Sequence, residues 1–173
     1  MDTIKFVIED YIDAEAGFRC PVINIYINDH NLIDLVRQIE TRGRVQEQEE
    51  NARWPYIGFE KPNFRRFYDE MLGMKIYPRS VLLTCTCTYE LCNCIMADIV
   101  FGADTVTWSD LKSPWLGGKT PSPWVDEDDA QELEWQPIDY SRLGPFSFDR
   151  AQYLAALEKM TQEWHLQNKD AGA

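Results

Sequence analysis

The tightest constraint on the fold is a period-two alternation of apolar residues near the N-terminus. Ile4, Phe6 and Ile8 alternate with Lys5, Val7 and Glu9, and Ile23, Ile25 and Ile27 repeat the pattern over 22–27. Alternation of this kind sends successive side chains to opposite faces and calls for half-buried strands. The stretch between them, 10–20 with Gly17, reads as too long for a tight hairpin. Further on, 76–87, 92–101 and 105–108 read as a three-stranded antiparallel meander.

Three helices interrupt the strands. Asn31 can cap a helix over 32–40, with Leu32, Leu35, Val36 and Ile39 on one stripe. Pro62 and Asn63 open a second, carrying Phe64, Phe67, Met71 and Leu72, with Gly73 as its stop. The last begins at Asp149, with Gln152 placed as in a capping box, and buries Tyr153, Leu157, Met160 and Trp164 before a frayed tail at 167–173. Between these elements, 41–52 is an exposed polar loop. The stretch 115–137, with Gly117, Gly118, Pro121 and Pro123, is an irregular acidic loop. No repeat or domain boundary is visible. The expectation is one α+β domain over 1–173, a mainly antiparallel sheet of about five strands with about three helices packed on one face.

Composition narrows the class. A chain of 173 residues suits one core, and 45% hydrophobic residues is too many for a disordered chain. Nothing approaches the roughly 18 consecutive apolar residues of a membrane span. The acids Asp2, Glu9, Asp10, Asp13 and Glu15 do not suit a signal peptide, so a cytoplasmic, reducing setting is expected. The net charge of −12 argues against direct nucleic-acid binding, which depends on Lys and Arg. That charge is uneven. Residues 1–86 hold 11 basic and 14 acidic side chains, net −3, while 87–173 hold 6 and 15, net −9.

The most specific motif is the pair of C-x-C units formed by Cys85, Cys87, Cys92 and Cys94. On a hairpin with a four-residue loop, Cys87 would face Cys92 and Cys85 would face Cys94, with all four sulfurs on one face. Directly opposed Cβ atoms lie about 5 Å apart, so rotation of the side chains and a distorted loop could gather the sulfurs round a zinc ion. Three chemistries fit: a structural zinc site, buried reduced thiols acting as small hydrophobes, and disulfide or redox use.

Catalytic signals are sparse. Gly117-Gly118-Lys119-Thr120 matches the end of a phosphate-binding loop, but Ser113 stands where that pattern needs Gly, and Pro121 and Pro123 follow where it needs a helix. His30, in a turn, and His165, near the C-terminus, read as surface residues, which leaves no activated nucleophile. A third reading is a small enzyme of unrecognised class.

Asp126, Glu127, Asp128, Asp129, Glu132 and Glu134 place six acids in nine residues, bordered by Trp124 and Trp135. One reading is a solvated loop. The sharper one is a docking surface for a basic protein, with charge steering the encounter and the tryptophans as anchors. Small acidic bacterial domains of this kind are similar to immunity proteins, antitoxins and phage-encoded nuclease inhibitors. The leading expectation is a non-catalytic protein that neutralises a basic partner. The alternative is a metal-binding structural or sensor domain built on the cysteine hairpin.

Four stretches, 31–40 (NLIDLVRQIE), 82–87 (LLTCTC), 106–110 (VTWSD) and 139–153 (DYSRLGPFSFDRAQY), together resemble a family of small, stand-alone, uncharacterised bacterial proteins. The resemblance spans most of the chain in order, and its C-terminal segment is the most specific part. It implies a bacterial, cytoplasmic, single-domain protein and supplies no activity. Members carry three cysteines matching Cys85, Cys87 and Cys92, followed by a Trp-Pro pair. Here Asn93 and Cys94 stand instead, so Cys94 would be a ligand particular to this chain.

Overall fold

The computed structural model describes residues 1–13, 17–41, 56–60, 63–75, 77–86, 94–114 and 138–169. In chain order these form β1 (Ile4–Asp13), β2 (Phe18–Ile27), β3 (His30–Asn31), α1 (Leu32–Thr41), β4 (Tyr56–Ile57), β5 (Phe59–Glu60) and α2 (Phe64–Met71). They continue with β6 (Ser80–Cys85), β7 (Ile95–Phe101), β8 (Thr105–Lys112), β9 (Phe146–Asp149) and α3 (Arg150–Lys169). The architecture is α+β with antiparallel sheets, as the sequence implies. None of the described helices is long and apolar enough to cross a membrane.

The alternating stretches pair as expected, with Ile4 opposite Ile27, Phe6 opposite Ile25 and Ile8 opposite Ile23. The long-connection expectation is corrected. Pairing runs on through Asp13 opposite Phe18, so the two strands form a direct hairpin. Past Ile8 the same row leaves the core, with Asp10 and an exposed Ile12, and an Asp10–Arg19 ion pair joins the two strands there. The meander is present as β6–β7–β8, but β6 begins only at Ser80, after Pro78, which has no N–H to give a ladder.

Four short strands that leave no periodic trace in the sequence shape the whole. The strands β4, β6, β7, β8 and β9 make one sheet, and β1, β2, β3 and β5 make another. The two meet along two seams. At one, β4 pairs with β6 while β5, one residue later, pairs with β2. At the other, Asp2 bridges to Phe148, with the Asp2 N–H donating to Ser147 O at 2.8 Å and the Ser147 N–H donating to Asp2 Oδ2 at 2.8 Å. The strands thus follow one another in a closed circuit, which leaves few open edges.

The first seam depends on Gly58. A Cβ there would lie 2.2 Å from the Ile23 carbonyl oxygen, so only glycine admits the approach. At the second, Asn28 (φ 51°) donates from Nδ2 to Asp2 Oδ1 at 2.8 Å and accepts the Thr3 N–H at 2.9 Å. Burial opposes the Asp2 charge, but the Asn28 and Ser147 hydrogen bonds outweigh it and hold the carboxyl below its ordinary value.

Helices α2 and α3 meet the strands through aromatic contacts. Phe6 of β1 lies 5.6 Å from Phe67 of α2 and 5.8 Å from Tyr153 of α3, both edge-on. Trp108 of β8 packs on Phe148 at 5.4 Å and on Tyr153 at 6.0 Å. Tyr153 donates its hydroxyl to Met71 O at 2.8 Å, tying the two helices together. The caps are as read from the sequence. Asn31 Oδ1 accepts the Ile33 N–H at 2.8 Å, Asp149 Oδ1 accepts the Gln152 N–H at 2.8 Å, and Gly73 adopts φ 74° just past α2. Helix α3 continues to Lys169, so residues 167–169 of the expected tail are helical.

Candidate functional site

Helix α1 carries its apolar residues at the spacing that faces the core, and Leu32, Val36 and Glu40 follow at intervals of four. Leu32 and Val36 are fully buried, and so is Glu40, at 1% exposure. A carboxylate there needs hydrogen-bond donors. Two phenols supply them. Tyr56 of β4 donates to Glu40 Oε1 at 2.8 Å, and Tyr140, a hundred residues away from Glu40, donates to the same oxygen at 2.5 Å. Ser113, fully buried just past β8, borders both hydroxyls.

Burial, reinforced by the Glu40 negative charge, pushes both phenols far above the ordinary tyrosine range. Both therefore remain protonated donors throughout the neutral range. The cluster is a polar anchor inside an apolar core, which is costly if any member is missing and specific when complete.

Its position in the chain matters more than its chemistry. Glu40 and Tyr56 stand at the two ends of 42–55, and Ser113 and Tyr140 at the two ends of 115–137. Four separated points of the chain are clasped at one node.

A second set of charges joins the approach to β6 with β7 and β8. Lys75 bonds Asp98 at 3.1 Å, Arg79 reaches Asp98 at 3.5 Å and also pairs with Asp110, and Lys112 bonds Asp110 at 3.1 Å. Asp110 holds φ 51° where the β7–β8 register shifts. The cations beside Asp98, Lys75 first, hold its carboxyl below its ordinary value.

The cysteine hairpin is described in part. Cys85 closes β6 at 5% exposure and Cys94 precedes β7 at 0%, so both are buried. Cys87 and Cys92 lie outside the described residues. The β6–β7 ladder pairs Ser80 with Ala97, Val81 with Met96 and, past a bulge, Leu83 with Ile95. Across its other edge, Cys85 is paired with Tyr56. Among the described residues no group of three or more His, Cys, Asp or Glu is placed to hold a metal ion.

Trp124, Asp126, Glu127, Asp128, Asp129, Glu132, Glu134 and Trp135 all lie outside the described residues. Of the four tryptophans between 108 and 135, Trp108 is a core residue. His30 and His165 are exposed, as expected.

The sequence offered one overlooked signal of the buried node: an acid at the next core position of an otherwise apolar stripe. No protein-family model matches the chain, and no curated protein and no solved structure is significantly similar to it.

Proposed function

We propose that the chain is a non-catalytic acidic binding protein that inhibits or neutralises a basic partner protein, in the manner of immunity proteins, antitoxins and phage-encoded nuclease inhibitors. The observation that carries this reading is the charge distribution: −9 of the net −12 falls in 87–173, with six acids in 126–134 between Trp124 and Trp135. In the proposed mechanism these acids occupy Lys and Arg side chains that would otherwise hold nucleic-acid phosphates. Charge speeds the encounter, and the tryptophans supply apolar anchors.

The buried node supports the reading. Ser113 and Tyr140, which flank 115–137 in sequence, are fixed in the buried node beside Glu40, so the chain on either side of the acidic segment is placed by the core. Capture of interacting proteins by the wild-type chain and by a variant with the six acids changed to Asn or Gln tests it. A basic protein retained at low salt by the wild type, lost at high salt and lost with the variant is the expected result. Equal retention by both chains would refute it.

A second reading, a metal-binding structural or sensor domain, rests on the spacing of Cys85, Cys87, Cys92 and Cys94, while the burial of Cys85 and Cys94 fits it and reduced core thiols equally. It predicts stoichiometric zinc in protein purified without chelator. It also predicts joint loss of metal and thermal stability in Cys87→Ser and Cys92→Ser.

A further inference from the structure

We propose that a half-open cavity between α1 and the segment entering β9, apolar on its floor and polar at its rim, binds a small carboxylate with a ring-sized hydrocarbon body. The cavity measures about 230 Å³ and is floored by Ile27, Leu35, Ile39, Leu143 and Phe146. An engineered cavity of about 150 Å³ already accepts benzene, so a phenyl ring with a short arm fits this space.

The charge at its rim selects the ligand's sign. His30 and Arg142 are the ionisable residues lining it, and among the described residues no carboxylate does. That is unusual in a chain with 29 acids against 17 Lys and Arg. The acids adjacent in sequence do not line it: Asp29 pairs with Lys5 and Asp139 accepts the Ser141 N–H at 2.9 Å, and His30 and Arg142 act on these two carboxylates only as the weakest of their neighbours. Among the described residues, the side chains of His30, Gln38 and Arg142 make no hydrogen bond or ion pair, so their donors are available. A guanidinium can bind a carboxylate through two parallel hydrogen bonds.

The cavity beyond the 138–145 segment, about 330 Å³, differs in kind. Its one cation, Lys112, is already paired with Asp110, and the Asp139 carboxylate also lines it, so it offers an anionic ligand no free positive charge.

The walls are set in advance. Asn28 and Asp29 form a turn with φ of 51° and 65°, fastened to Asp2 and Thr3, and the Leu143 N–H donates to Tyr140 O at 2.8 Å. A preformed apolar floor with a few oriented polar groups is the usual form of a small-molecule site. The inference does not depend on the partner-binding reading.

The test is titration of the full chain with phenylacetate, followed by NMR of the imidazole signals at fixed pH. The chain has two histidines, and His165 lies on α3 beside Phe64, where it serves as an internal control. Saturable movement of the His30 signals with those of His165 unchanged is the expected result. Phenethylamine, the same ring with the opposite charge, leaves His30 unmoved. Arg142→Ala, an exposed substitution, weakens phenylacetate binding about tenfold or more. Absence of movement at His30, equal movement at both histidines, equal binding of phenethylamine, or undiminished binding to the Arg142→Ala chain would each overturn the proposal.

Discussion

Glu40 draws together three parts of the chain through one oxygen atom. Removing one donor leaves a buried acceptor less satisfied, at about 1–3 kcal/mol. Tyr140→Phe and Tyr56→Phe are each expected to lower unfolding free energy by that amount in urea titrations. Because both phenols serve the same oxygen, the double variant should depart from the sum of the singles. Additive losses would show that the two bonds act independently. At Gly58 the constraint is steric. Gly58→Ala must displace the Ile23 carbonyl, so a loss of about 2–3 kcal/mol is expected in the same assay. An unchanged midpoint would mean that the seam is looser than its contacts indicate.

Among the elements, the seams and the caps are the features open to test. Asp149→Ala removes the acceptor for the Gln152 N–H at the start of α3 and should cost about 1 kcal/mol. Asp2→Ala opens the β1–β9 seam. Because the Asp2 carboxyl is held below its ordinary value when folded, its contribution is present above about pH 4 and is lost as the pH falls through the folded value. The wild type should therefore lose stability on acidification more steeply than the variant.

The elements legible in the sequence are those long enough to show a period or bearing a cap: β1, β2, the three helices and the meander. The strands β3, β4 and β5 have two residues each, and no periodicity exists in two residues. Their pairing is decided by Gly58 and by contacts with residues distant in sequence. The node was hidden for a related reason. Glu40 continues an apolar stripe, and nothing local reveals that Tyr140 will meet it. The acidic segment and the cysteine pairs were legible as composition and spacing, which specify chemistry without specifying geometry.

At the scale of the whole molecule, two charge effects are open to measurement. Tyr56, Tyr140 and Tyr153 all have phenols raised above their ordinary value, first by burial. In the unfolded chain each ionises near pH 10. Their contribution is therefore fully present below about pH 10 and declines as the pH rises towards the folded values, by about 1.4 kcal/mol per pH unit for each phenol. Urea unfolding at about pH 8 and about pH 11 should show this decline, and Tyr140→Phe should make it shallower.

The second effect is the concentration of negative charge in the C-terminal half. Exposed charges are screened over about 10 Å at 0.1 M salt, so a contact made by 126–134 must weaken as salt is added. The direct measurement is binding of a captured basic partner to the wild-type chain and to the chain with its six acids neutralised, across a salt series. The account predicts a steep loss of affinity with salt for the wild type, and weak, nearly salt-independent binding for the variant. Equal affinities with the same salt dependence would contradict it.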